Sequence, residues 1–258
     1  VNYFLVLAIV LVGYMSVWFG ISLVRKRNDV ADEAWGLGFV VLAWWSLVIG
    51  AGLSGRGLLV GILVSIWGLR LAWHIHRRHQ GKPEDSRYQQ WRKDWGKWFY
   101  LRSYAQVFLF QGLLIFLVAL PVMMINVAQG PQLGWFDVIG IIVWLVGFTF
   151  EAVGDAQLAR FKTDPTNKGK LIQSGLWGYT RHPNYFGEVT MWWGIWLMAL
   201  SAPNGMLSII GPLTITWLIL KVSGVSLLEK KMMNNPDFAE YERRTSMFIP
   251  WLRKDIRR

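Results

Sequence analysis

Cysteine is absent from the 258 residues, so neither a disulfide nor a thiolate metal site can form. Histidine is scarce, with only His74, His76, His79 and His182. His74 and His76 are two apart, a spacing that does not share a helix face, so no metal site is expected. There is no G-x-G-x-x-G turn and no P-loop, which argues against a Rossmann or P-loop nucleotide site. Acidic residues number 16 against 27 lysines and arginines, and long stretches carry no charge at all. No internal repeat, low-complexity tract or separate soluble domain is visible. No loop has the composition of a nucleic-acid module. The net charge of +11 therefore points to membrane topology and phosphorylated ligands rather than to nucleic acid.

Apolar residues are abundant: they make up 53% of the chain, and 17 residues are Trp. That exceeds an ordinary soluble domain of this size. Seven apolar runs stand out, at Tyr3–Val24, Trp35–Leu53, Gly57–Ile75, Gln106–Ile125, Phe136–Val153, Val189–Ala202 and Met206–Val222. The first is about 22 residues long and lacks a basic leader, so a spanning helix is expected there rather than a signal peptide. Seven spans place 26 of the 27 basic residues on one side, with Arg56 the exception. By the positive-inside rule, the N-terminus is expected outside and the C-terminus in the cytoplasm. The stretch Tyr88–Tyr104 reads as an amphipathic helix at the membrane surface, with an interfacial aromatic belt as the plainer alternative.

Charges at membrane depth are costly, so each needs a reason. Asp32 and Glu33 are expected just before helix two, and Arg70 near the cytoplasmic end of helix three. Glu151 and Asp155 are four apart at the expected end of helix five, hence on one face. Glu188 is expected to open helix six, and Lys221 to close helix seven. Snorkelling or capping accounts for each alone. As a set at one depth, they fit a polar cavity under an apolar roof.

The densest polar segment is G-L-W-G-Y-T-R-H-P-N-Y-F-G-E, from Gly175 to Glu188. It holds Tyr179, Arg181, His182, Asn184, Tyr185 and Glu188 where a membrane helix begins, and Pro183 ends any preceding helix. The amides after Asn184 would lie at the positive end of the next helix, suited to an anion. Lys162, Lys168, Lys170, Arg181 and Lys221 are candidates to surround phosphates.

At these residues the chain resembles the membrane steroid 5-alpha-reductases (3-oxo-5-alpha-steroid 4-dehydrogenases), in their bacterial branch. D-A-Q-L-A-R-F-K, the segment above, L-L-E-K-K-M and Y-E-R-R-T-S-M-F-I-P-W carry the resemblance from about Phe148 to Trp251. Upstream, A-D-E-A-W-G-L-G-F, W-G-L-R-L-A-W and G-K-P-E-D-S-R-Y extend it over most of the chain. Sterol C14-reductases and isoprenylcysteine carboxyl methyltransferases share versions of R-H-P-x-Y-x-G-E. The resemblance implies one all-α, seven-helix integral membrane reductase domain over residues 1–258. Residues to about 126 would form the substrate side, and those from about 136 the cofactor-binding half. It implies NADPH, held on the cytoplasmic side by Asp155, Lys162, Tyr179, Asn184, Glu188 and Lys221, with Arg70 nearby. Arg181, His182 and Tyr185 complete the expected cofactor set. The family's catalytic glutamate matches Glu33, with Asp32 beside it. Where the family has a partner tyrosine, this chain has Trp67, which offers no acidic proton. Tyr88, His74 and Tyr179 are the candidates to replace it, Tyr88 and His74 foremost.

The expected reaction is NADPH-dependent reduction of the C=C bond of a lipophilic enone entering from the membrane, with a 3-oxo-Δ4 steroid giving its 5-alpha-dihydro product. Glu33 and a nearby hydroxyl would stabilise the developing enolate, an electrostatic role. The expected setting is a bacterial inner membrane, and the expected form a monomer whose partners are lipids and the substrate. Two alternatives stand beside this. One is an S-adenosylmethionine-dependent methyltransferase of the isoprenylcysteine type, against which L-L-E-K-K offers one acid where those enzymes carry a pair. The other is a non-enzymatic transporter or lipid-binding protein, against which no repeat is found.

Overall fold

In the computed structural model of the chain, residues 2–127 and 132–254 are described. Among them the regular structure is helical, with a single isolated backbone bridge between Thr180 and Ser246. Six helical stretches are long and apolar enough to cross a membrane: Tyr3–Arg25, Val30–Ile49, Gly55–His79, Ser86–Val118, Trp135–Thr163 and Gly205–Met232. Their outward faces are apolar. The first exposes Leu5, Ile9, Val12 and Val17, and the fifth Phe136, Ile139, Ile142 and Leu145. Such surfaces suit lipid, where helices satisfy their own backbone hydrogen bonds. The chain is an all-α polytopic membrane protein.

The chain divides into two compact units. In the first, α1 (Tyr3–Arg25), α2 (Val30–Ile49) and α3 (Gly55–His79) follow one another through short turns. The α1 helix starts on Asn2, whose side chain accepts from the Phe4 amide, and stops at Lys26 in the left-handed region (φ 54°). The next stretch holds α4 (Ser86–Trp95) and the short α5 (Phe99–Arg102). A π-helical turn over Ser103–Leu109 leads to α6 (Phe110–Val118), and then comes α7 (Leu120–Val127). The α2 and α3 helices meet where Gly36 faces Gly68. A Cβ on either would lie 2.6 or 2.5 Å from the other's carbonyl oxygen, so only glycine permits this approach.

The second unit contains α8 (Trp135–Thr163) and α9 (Pro183–Ala199). Gly140, Gly147 and Gly154 repeat along one stripe of α8, and Gly187 and Gly194 along one stripe of α9. The two stripes interlock. A Cβ on Gly140 would meet the Gly194 carbonyl at 2.6 Å, and one on Gly147 the Gly187 carbonyl at 2.6 Å. Gly154 continues the seam to the Asn184 amide at 3.2 Å. This close packing sets the first turn of α9 against the C-terminal half of α8. After it come α10 (Ile210–Trp217), a π turn over Leu218–Val222, α11 (Val225–Met232) and α12 (Phe238–Arg244).

Four expected boundaries move. The α2 helix begins at Val30, not Trp35, so Asp32 and Glu33 sit inside its first turn, where the helix dipole favours carboxylates. The fourth span extends back to Ser86 and breaks after Val118. Pro121, with no N–H for the Leu117 carbonyl, prevents an unbroken helix to Ile125. The α8 helix continues to Thr163, so Glu151 and Asp155 lie within it, both buried, rather than at its end. The α9 helix starts at Pro183, as proline favours the first helical position, which puts Glu188 in the second turn.

Candidate functional site

The segment from Gly175 to His182 is clamped from both sides within the second unit. From α8, the Gln157 carboxamide oxygen accepts from the Leu176 amide at 3.0 Å, and the Gly154 carbonyl accepts from the Trp177 indole at 3.1 Å. From the tail, the Arg181 amide donates to the Ser246 carbonyl at 2.9 Å, and the Trp251 amide donates to the Tyr179 carbonyl at 3.0 Å. Thr180 donates through its hydroxyl to Phe248 at 2.9 Å. Tyr241 donates to the Trp177 carbonyl at 2.6 Å, and burial pushes its phenol pKa upward, so the hydroxyl keeps its proton. The two sequence motifs of this half are thus one structure, with the tail forming the outer wall of the arginine–histidine segment.

A buried ionic cluster sits at its centre. Arg181 donates to Glu229 of α11 through Nε to Oε1 at 3.0 Å and Nη2 to Oε2 at 2.7 Å. Its third arm donates to the Thr245 carbonyl at 2.7 Å. His182, fully buried, places Nε2 2.7 Å from Glu229 Oε1. A two-pronged guanidinium–carboxylate pair of this kind fixes geometry as well as charge. Tyr185 stacks on the His182 ring with centroids 5.9 Å apart. In the first turn of α9, Asn184 donates to Asp155 at 3.1 Å.

Beside the cluster lies a cavity of about 560 Å³. Lys162, Lys168 and Lys170 line it together with Arg181 and His182, and Phe161, Trp177, Leu228, Met232 and Tyr241 supply apolar wall. Asp164 is the acid on its lining; hydrogen bonds from the Thr166 hydroxyl and amide hold its pKa down. Since Glu229 neutralises Arg181, the three lysines leave the cavity cationic. A wall that is partly aromatic and partly basic suits an anion that carries a flat apolar group.

The first unit holds a second polar cluster. Arg27 forks onto Asp29 at 2.6 and 2.7 Å, and Asp29 also accepts from the Asp85 amide at 3.0 Å. Glu84 accepts from the Asn28 amide at 2.6 Å, and Asn28 donates to Ser103 at 2.8 Å. Tyr88, buried, donates to Asp32 at 3.1 Å, and Arg87 lies 3.6 Å from that carboxylate. Glu33 stands 3.3 Å from His76 Nδ1 and 4.0 Å from His79. Gln80 lies against the other nitrogen of His76 at 3.1 Å. The G-K-P-E-D-S-R-Y stretch thus closes over the start of α2.

The expected site residues therefore separate. Lys162, Arg181 and His182 line the cavity; Asn184 and Asp155 pair; Tyr185 covers the histidine. Tyr179 is 48% exposed, Glu188 half-buried and Lys221 exposed on the π turn, and none of the three lines the cavity. In the first unit, Tyr88 pairs with Asp32 and Glu33 with two histidines, while Arg70 and His74 are half-buried on α3. Trp67 is buried edge-on against Phe39, with ring centroids 5.3 Å apart. The sequence offered a signal for His76 and His79 that the His74–His76 test passed over: three apart, they share a helix face. Glu229 had no local signal beyond being the single acid of L-L-E-K-K.

These features define a polytopic helical membrane protein with a basic, partly aromatic cavity built on a buried Arg–His–Glu cluster. The chain belongs to the family described as protein of unknown function DUF1295, whose model matches residues 18–245. An uncharacterized protein of Schizosaccharomyces pombe is 26% identical over 267 residues, which cover 92% of this chain and 76% of that protein. A probable O-methyltransferase of Ustilaginoidea virens is 36% identical over 66 residues, 26% of this chain and 22% of that protein. No solved structure matches the chain.

Proposed function

We propose that the chain is an integral membrane oxidoreductase that uses NADPH to reduce the C=C bond of a lipophilic enone, for which a 3-oxo-Δ4 steroid is the test substrate. The observation that carries this reading is the second unit's cavity, where Lys162, Lys168 and Lys170 meet an aromatic wall beside His182. The donors fit a phosphorylated dinucleotide: lysines for phosphates, Phe161 and Trp177 for a base. NADPH, when bound, supplies a hydride; the protein supplies orientation and a dry surrounding. In the first unit, Glu33 in its protonated form donates to the substrate carbonyl through one carboxyl oxygen, and His76 and His79 lie 3.3 and 4.0 Å from that carboxyl and orient it. Tyr88 is the second donor for that carbonyl, its hydroxyl turning from Asp32 to the substrate oxygen.

In this reading α9 is a seventh span. Its 17 residues reach about 26 Å, close to the thickness of a bilayer core. The basic loops then face the cytoplasm of a bacterial inner membrane, the N-terminus lies outside, and the protein acts as a monomer. The deciding experiment mixes detergent-purified protein with NADPH and a 3-oxo-Δ4 steroid and follows nucleotide oxidation and steroid mass together. A two-dalton gain in the steroid is expected. Absence of both NADPH binding and enone reduction would sink the reading.

One observation favours a second reading. The 66-residue likeness to a probable O-methyltransferase is compatible with an S-adenosylmethionine enzyme methylating a lipophilic acid. The same protein titrated with S-adenosylmethionine separates the two.

A further inference from the structure

We infer that residues 247–254 of the tail are a membrane-surface anchor whose partner is the anionic headgroup layer of the bilayer beside α8. The anchor stands whatever cofactor the cavity takes. Along this segment Met247, Ile249, Trp251 and Leu252 turn outward, 46%, 65%, 70% and 75% exposed, while Phe248 among them is half-buried. The segment is pinned in that pose. The Trp251 amide donates to the Tyr179 carbonyl at 3.0 Å, and the Phe248 carbonyl accepts from the Thr180 hydroxyl at 2.9 Å. The Lys254 amide donates to the Arg244 carbonyl at 3.0 Å. A fixed backbone thus holds four large apolar side chains in the open, the mark of a surface that meets something apolar.

The inward ring fixes the depth. Phe248 meets the Phe186 ring of α9 with centroids 5.8 Å apart, and Phe186 meets Phe150 of α8 at 5.1 Å. Phe150 lies in the last turn of the apolar run of α8, where Glu151 and Asp155 introduce charge. Leu145, Val146 and Val153 still face outward on that stretch of the helix. The tail is therefore level with the edge of the hydrocarbon. It lies no deeper, because a single bridge to Thr180 pairs its backbone on one side among the described residues, and hydrocarbon does not tolerate an open edge. Tyr179, held against Trp251 by the same hydrogen bond, is 48% exposed, and Tyr and Trp gather at this depth.

Charge selects the lipid. Arg243 precedes the apolar stripe, and Arg253 and Lys254 follow it. Arg243 donates to the Ala239 carbonyl and Arg253 to the Gln173 carboxamide oxygen, both of them neutral partners. The acids of α12 are engaged elsewhere, Glu240 with Arg244 at 2.7 Å and Glu242 beside Arg181 at 3.8 Å. Bases flanking an interfacial apolar stripe are drawn to anionic headgroups. A zwitterionic surface or an apolar protein face leaves that charge unanswered.

The chain has no cysteine, so one introduced cysteine is the only thiol. Full-length Ile249→Cys and Trp251→Cys are spin-labelled in nanodiscs of phosphatidylcholine, with and without phosphatidylglycerol. Collisions with oxygen, which concentrates in lipid, are compared with those of a water-soluble nickel chelate, and Leu145→Cys on α8 marks the lipid face. Labels at 249 and 251 are expected to favour oxygen. Phosphatidylglycerol should raise that preference, and Arg253→Gln combined with Lys254→Gln should abolish the rise. A second readout needs no label. The Arg181 amide, bonded to the Ser246 carbonyl at 2.9 Å, should exchange its hydrogen about fivefold more slowly when phosphatidylglycerol is added, the pull of about one base on the headgroups. The doubly substituted tail should lose that slowing. Nickel preferred at both positions means a tail in water and overturns the inference. So does an oxygen preference indifferent to phosphatidylglycerol, and so does spin–spin broadening between labels at 249, which means that a second copy covers the stripe. Should the labelled variants misfold, an Arg181 exchange rate in the parent that ignores phosphatidylglycerol overturns it alone.

Discussion

Arg181 and Glu229 face each other across 48 residues of sequence, joined by two hydrogen bonds of 3.0 and 2.7 Å in a buried setting. Their side chains are 5% and 10% exposed, so neither charge has water to fall back on. Arg181→Ala should therefore destabilise by about 3–5 kcal/mol, the cost of leaving a buried charge uncompensated. Arg181→Lys should recover part of this, because an ammonium keeps the charge and loses the fork. Thermal unfolding in detergent measures both. A parental midpoint for Arg181→Ala would contradict the pairing.

The glycine seam between α8 and α9 makes a prediction that chemistry alone does not. Gly147→Ala places a methyl 2.6 Å from the Gly187 carbonyl oxygen, so the helices must separate, at about 1–3 kcal/mol. Gly13→Ala on α1 meets nothing within 4 Å and should be neutral or stabilising by up to about 1 kcal/mol through helix propensity. Comparable melting shifts for the two variants would refute the packing.

Lys162 lines the cavity and Lys221 does not. NADPH should bind more tightly than NADH, and Lys162→Ala should narrow that preference by about tenfold, the loss of one charge-assisted contact. Lys221→Ala should change it by no more than about twofold, a long-range effect screened by salt. Competition titrations with the two nucleotides read this directly. A larger effect at Lys221 would relocate the phosphate site.

Glu33→Gln keeps shape and a hydrogen-bond donor but changes acidity. Single-turnover reduction of a 3-oxo-Δ4 steroid should slow by about a hundredfold, with NADPH affinity within a few-fold. Parental turnover would remove the catalytic assignment and make Tyr88, with its Asp32 partner, the next residue to change.

Asp29 carries an acid-sensitive contribution. Burial pushes its carboxyl up, but the Arg27 guanidinium and the Asp85 amide outweigh that and hold it below the usual range. A carboxyl depressed in the folded state stabilises above its unfolded pKa of about 3.9, and that stability is lost as pH falls through the folded value. The melting midpoint of the parent should thus drop more steeply than that of Asp29→Asn as pH falls from about 5 to about 2. Parallel profiles would show that the fork contributes nothing.

Composition and charge placement established the helical membrane class, because lipid leaves the backbone few other choices and long apolar runs are local facts. The G-L-W-G-Y-T-R-H-P-N-Y-F-G-E segment was equally plain as a run of polar groups at a helix start. Boundaries were less so: Asp32 and Glu33 looked like loop residues until the first turn of α2 included them, since capping and dipole terms of about 1 kcal/mol decide such ends.

The partners of those polar groups were settled only by tertiary structure. Nothing local ties His182 to Glu229, Tyr241 to the Trp177 carbonyl, or Glu33 to His76 and His79. The Glu33 pairs depend on how closely α2 and α3 pack, which Gly36 and Gly68 set, and the other two form because α11 and α12 fold back onto the arginine–histidine segment. The stripe of Gly140, Gly147 and Gly154 was written in the sequence, but its meaning was not, because a glycine repeat shows where a neighbour can approach and not which neighbour arrives. The cavity is likewise tertiary: the end of α8, the loop after it, the arginine–histidine segment, α11 and Tyr241 of α12 enclose it only once the chain has folded back on itself.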